Sequence, residues 1–191
     1  MNTESREVAE APAHPHSPLH RLLDRIPLPV RMLVYGVCFL SVVLGGLPWL
    51  AYRVDAYLPA WHVEIGWWRA AGVGLSLIFF VTYVWSSYLL SRRGRGAYVE
   101  FDPPKEFVAS GPFRWVRNPI AGSLVGMVLG EALAFSSTGI LLLFVIALPL
   151  AHCQVVFLEE PLLRKRFGQT YVDYLARVPR WLPRRPREDR P

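Results

Sequence analysis

The sequence predicts an all-α integral membrane protein with about four transmembrane helices, a C-terminal helical hairpin and a cytosolic amphipathic helix. Two observations carry this: 52% of the 191 residues are apolar and gather in long runs, and the 21 Lys and Arg residues fall unevenly between those runs. A helix needs about 20 mostly apolar residues to cross a bilayer. Four runs approach that length: Val30 to Ala51, Trp67 to Leu90, Ile120 to Phe135 and Gly139 to Leu158. The third is short, which a local adjustment of the bilayer or burial against its neighbours accommodates.

The first 29 residues, rich in Pro, His and charge, read as a disordered cytosolic tail. His14, His16 and His20 lie there with no cluster of thiols or carboxylates beside them, so a solvated tail is expected and no metal site. Residues 30–90 then hold the first two spans. Basic residues mark the cytoplasmic side of a membrane protein. Arg53 and Arg69 are the two placed outside by this reading; the other nineteen flank the spans on the opposite side, which puts both termini and the loop Ser91 to Asn118 in the cytosol. Trp49, Trp61, Trp67 and Trp68 would form an outer aromatic belt, with Trp85 and Tyr88 in an inner one.

A net charge of +6 could suggest nucleic acid, but the Arg clusters sit beside spans and among membrane-anchoring aromatics. The lipid bilayer, with its anionic headgroups, is the expected partner, and nucleic acid is not. Cys38 and Cys153 lie inside apolar runs and imply no disulfide framework.

The Asn118-Pro119 step starts the third span. Asn caps free amides, and proline in a first turn loses no hydrogen bond. The positive end of that helix, beside Arg114 and Arg117, favours a carboxylate or phosphate. Gly122, Gly126 and Gly130 make a bare stripe, compatible with close helix packing or with a groove for a cofactor or acyl chain. A short turn then folds the fourth span back, bringing Asn118 and the Glu159-Glu160 pair to one membrane face. Pro149 frees one carbonyl in this span, so a kink is expected there. His152, seven residues before Glu159, could share the carboxylates' cavity or bond a neighbouring backbone carbonyl. Beyond Pro161, Leu163, Phe167, Tyr171, Tyr174 and Val178 follow helical spacing opposite Arg164, Lys165 and Arg166. The pattern describes an amphipathic helix on the inner leaflet, either a surface anchor or a lid over the site. Arg177 to Pro183 reads as extended, and residues 184–191 form a basic tail.

Gly94-Arg-Gly96, Asp102-Pro-Pro104, Ser110-Gly-Pro-Phe-Arg-Trp-Val-Arg-Asn-Pro119, Leu158-Glu-Glu160, Phe167-Gly-Gln-Thr-Tyr171 and Val178-Pro-Arg-Trp181 occur in that order. The series resembles the isoprenylcysteine carboxyl methyltransferase and phospholipid methyltransferase superfamily, over about half of the chain. The resemblance implies that residues 91–183 form the catalytic region of an integral-membrane enzyme using S-adenosylmethionine. It implies a cofactor held between the loop before the hairpin (Gly111, Pro112, Arg114, Asn118 and Pro119) and the Glu159-Glu160 step after it, with Gly94 and Gly96 as the Gly-x-Gly contact. Many members read Arg-His-Pro-x-Tyr where this chain has Arg117-Asn118-Pro119-Ile120-Ala121. The Asn form resembles the phospholipid-methylating branch and many bacterial relatives, which implies a bacterial inner membrane. Ala121 leaves out an aromatic expected in the pocket.

The residue types suit methyl transfer. S-adenosylmethionine carries an amino-acid head and ribose hydroxyls, which call for acidic acceptors and cationic donors, and transfer depends on alignment more than on a nucleophilic side chain or a metal. Arg117, Asn118, Glu160 and His152 are the candidate catalytic residues. Glu160 or His152 would be the base if the acceptor were an amine. The acceptor is expected to be lipid-like or amphipathic and to come from the inner leaflet. A non-catalytic membrane scaffold retaining the same fold is the second class that these residues admit.

Overall fold

The computed structural model describes residues 25–61, 64–95 and 104–183. Gly96, the three tail histidines and the basic tail 184–191 lie outside them, so the readings made for those positions do too. The described residues form helices and their connections, with no strand among them. The helices are α1 (Leu28–Leu40), α2 (Leu47–Val54), α3 (Trp68–Gly94), α4 (Pro119–Phe135), α5 (Thr138–Gln154) and α6 (Glu160–Arg177).

Two of the joins between helices are not loops. A wide turn over Ser41–Gly46 links α1 to α2, and another over Val155–Glu159 links α5 to α6. In each, an amide reaches five residues back: Leu47 to the Val42 carbonyl, and Glu160 to the Val155 carbonyl. A proline follows both turns, Pro48 and Pro161. Proline lacks the amide for the ordinary four-residue bond and its ring presses on the carbonyl that would accept it, so the preceding turn widens. The chain is thus helical from Leu28 to Tyr57 and from Thr138 to Arg177, and these stretches with α3 are the three long, apolar candidates for membrane spans. The helix α4 is shorter, 17 residues. At 1.5 Å per residue it is about 25 Å long, less than a hydrocarbon core of about 30 Å. The helix α5 continues through Pro149 to Gln154, and a wide turn follows before Pro161.

The shortness of α4 is offset by burial. It packs along α3, the most extensive contact between any two helices, and folds back on α5. A β-carbon on Gly126 would strike the ring of Phe79, and one on Gly130 would strike Ser76. Gly130 therefore lets the two backbones approach and Gly126 makes room for a ring, the close-packing reading of the stripe. Gly122, the third, has only Trp181 near it, at 4.0 Å. At the hairpin, Ser136 takes a left-handed conformation (φ 51°) and the Ser137 side chain accepts from the Ile140 amide at 3.0 Å, capping α5. Tyr83, Leu90, Val108, Phe113, Ile120 and Met127 form the core at the other end of α4. Large apolar side chains meanwhile cover the outside of the long helices, Leu33 at 67% exposure and Ile78 at 65%. A bilayer accounts for apolar surface on this scale; water does not.

The apolar face of α6 turns inward. Phe107, in the stretch before the hairpin, meets Phe167, Tyr171 and Tyr174 with ring centroids 5.4, 5.9 and 5.1 Å away. Gly168 makes this possible, since its φ of 55° breaks the helix and re-aims the second half. On the face that the sequence assigned to the leaflet surface or to a lid, Phe167, Tyr171 and Tyr174 thus pack on protein, while Arg164, Lys165 and Arg166 remain exposed on the other side.

Candidate functional site

The site is built where the start of α4 meets the turn before α6. Asn118 caps α4 as its sequence suggests: its Oδ1 accepts from the Ala121 amide at 3.1 Å, and Pro119 is buried in the first turn. That bond orients the amide so that Nδ2 donates to Oε2 of Glu159. Gln154, at the end of α5, donates to the other oxygen of Glu159 at 3.4 Å. Two amides from two helices thus hold one carboxylate.

Glu160, its neighbour, is 6% exposed and lies between two guanidinium groups. Arg180 approaches with both arms, Nε to Oε1 at 2.8 Å and Nη2 to Oε2 at 3.0 Å, while Nη1 of Arg117 stands 3.3 Å from Oε1. Paired hydrogen bonds of this kind are the strong class. The hydrogen bond to Glu160, and then its charge, lift Arg180 above its ordinary value despite partial burial. Arg117 is otherwise occupied with backbone, donating from Nε to Val178 O at 2.6 Å and from Nη2 to Leu175 O at 2.6 Å. Both guanidinium groups serve to hold the C-terminal segment and the buried carboxylate together.

A cavity of about 450 Å³ opens beside these groups. Arg117, Asn118, Gln154, Glu159 and Glu160 line its polar end, and Phe39, Leu90, Phe113, Ile120, Ala121, Leu124, Val155, Leu162, Leu163 and Tyr171 contribute to the rest, with Pro104 at the edge. Its walls come from α1, α3, α4, the end of α5 and α6. The volume falls in the range of small-molecule sites, about 300–1,000 Å³, and so does the pattern of apolar walls with a few convergent polar groups.

Four of the residues singled out in the sequence, Arg117, Asn118, Glu159 and Glu160, meet on this cavity. Among the described residues, the other candidates for catalysis or cofactor binding do not line it. Gly94 is buried under the following stretch, its carbonyl accepting from the Lys105 and Glu106 amides at 2.7 and 3.0 Å. Gly111 turns the chain at φ 61° against Leu89, and Pro112 is buried behind it. Pro119 is buried at the helix start, and Arg114 is exposed. His152 is exposed as well, its Nδ1 accepting from the Trp181 indole at 3.1 Å, so it neither faces the carboxylates nor bonds a backbone carbonyl in the way the sequence allowed. The sequence pointed to no role for Phe39, Gln154 or Arg180, and to Tyr171 only as part of the apolar face of α6. The Val178-Pro-Arg-Trp181 motif held the signal for the last.

Fold and site together define a helical membrane protein with an apolar-walled, polar-ended cavity among its described residues. A family model for phospholipid methyltransferase matches residues 67–170, more than half of the chain, and the protein belongs to that family. No curated protein and no solved structure was found to match it.

Proposed function

We propose that the protein is an integral-membrane methyltransferase that uses S-adenosylmethionine and acts on a lipid-like or amphipathic acceptor drawn from the bilayer. The observation that carries the reading is a cavity of about 450 Å³ in which spanning helices supply apolar walls and the Asn118, Glu159 and Gln154 side chains supply one polar end. The donor set fits the cofactor. A carboxylate that accepts from two side-chain amides keeps acceptor character for an ammonium group or ribose hydroxyls, and the first turn of α4 favours a carboxylate near its amides. When bound, S-adenosylmethionine supplies an electrophilic methyl group on a sulfonium.

In this reading Glu159 and Asn118 orient the ligand. Phe39, Leu90, Ile120 and Leu124 exclude water and receive apolar groups, which strengthens the polar contacts at the closed end. For an amine acceptor, the proton goes to a Glu159 oxygen, because the Glu160 oxygens are taken by two arginines and His152 stands away from the cavity. A carboxylate or thiolate acceptor needs no base. The excess of basic residues on the loops beside the cavity supports a cytosolic site with both termini inside, in a bacterial inner membrane.

The test is methyl transfer. The purified protein in nanodiscs, given a labelled methyl donor and a lipid extract, is expected to move label into the lipid fraction. A folded protein that moves label into no lipid would replace this reading with the scaffold.

A further inference from the structure

The family match ends at residue 170, yet the residue that grips Glu160 behind the polar end of the cavity comes later. Residues 178–181 cross over the ends of three elements. The Arg117 amide donates to Pro179 O at 2.9 Å and its side chain to Val178 O, Arg180 grips Glu160 with both arms, and Trp181 donates to His152 on α5. We propose that Arg180 is a positioning residue for the ligand site: it fixes Glu160 in the wide turn, and so holds Glu159 against Asn118 on the cavity wall. This rests on the reading of the cavity as the S-adenosylmethionine site.

The physical case lies in the turn itself. Glu159 ends the wide turn and Glu160 begins α6, so the two carboxylates share a stretch where the regular four-residue ladder is interrupted. The backbone there is held less uniformly than in a helix interior, and the side-chain anchors decide which way each carboxylate points. Glu160 has two such anchors, and only Arg180 binds it through both oxygens. Without Arg180 a buried carboxylate loses its paired donors, and the way to recover solvation is to swing toward water. Any backbone rotation that exposes Glu160 also moves Glu159 off Asn118. Arg180 touches no ligand in this account; it acts through Glu160.

Full-length protein in nanodiscs carries the test, with Arg180→Met and Arg180→Lys compared by S-adenosylmethionine titration. Hydrogen bonds to charged groups predict that Arg180→Met binds about tenfold or more weaker, with Arg180→Lys between it and the parent because the charge remains but the fork is lost. Parent-like affinity in Arg180→Met overturns the proposal, and so does a lysine variant no better than the methionine one, since that pattern marks a loss of packing alone. If Arg180→Met does not fold, Arg180→Lys decides: weaker binding at an unchanged unfolding midpoint supports the proposal, and unchanged binding overturns it. Trypsin cleavage after Arg177 is read in parallel without cofactor. Faster cleavage in the arginine variants supports the clamp even if the parent binds no S-adenosylmethionine, a result that removes the proposed function alone; unchanged cleavage overturns the clamp.

Discussion

Glu159 meets two side-chain amides, whereas Glu160, the next residue, is enclosed by two arginines. The two positions should therefore respond differently to the same change. Removing one partner of a buried ion pair costs about 3–5 kcal/mol, so Glu160→Gln is expected to lower the unfolding midpoint clearly. Glu159→Gln is expected to leave that midpoint within the scatter of surface substitutions, about 0.5 kcal/mol, while weakening S-adenosylmethionine binding. Thermal unfolding and ligand titration on both variants check this, and equal effects at the two positions would reject the division of roles. The acidic pair was legible in the sequence as a pair. Its division was not, because the burial of Glu160 depends on Arg180 and Arg117, 20 and 43 residues away. Nothing local distinguishes the two glutamates.

The helix α4 shows which parts of an element can be read locally. Its start was legible because a cap is chemistry between near neighbours, Asn118 and Ala121. Its glycine stripe was legible as a pattern, and the structure settles two of its three positions as close contacts with α3, Gly126 against the Phe79 ring and Gly130 against the backbone. Gly130→Ala is expected to cost about 1–3 kcal/mol by overpacking against Ser76, seen as a lower unfolding midpoint in detergent. At the opposite end Ala121 lines the cavity, at a position where the family resemblance leads an aromatic to be expected. Ala121→Tyr is expected to fill part of that space and either weaken cofactor binding or narrow the range of acceptors. Unchanged affinity together with an unchanged product profile would take position 121 out of the site. The wide turns before Pro48 and Pro161 were not read from the sequence, since a five-residue bond leaves little trace in apolar spacing. The inward face of α6 was legible as a face, but its partner, Phe107, belongs to a stretch with no regular pattern.

At the scale of the whole molecule, composition and run length were enough to give the class, because a bilayer imposes both length and apolarity on whatever crosses it. Charge distribution predicts the orientation. Reporter fusions after Arg95 and at the C-terminus are expected to give the same cytosolic signal, and opposite signals would contradict an even number of crossings between them. In the proposed function, helices that cross the membrane enclose a cavity whose polar end binds S-adenosylmethionine through Glu159 and Asn118. Titration of the purified full-length protein and its Glu159→Gln variant with S-adenosylmethionine tests it most directly. Saturable binding at one site is expected in the parent, with a loss of affinity of about tenfold or more in the variant, as a hydrogen-bonded charged group would give. A folded parent that shows no saturable binding, or a variant that binds as tightly as the parent, would contradict it.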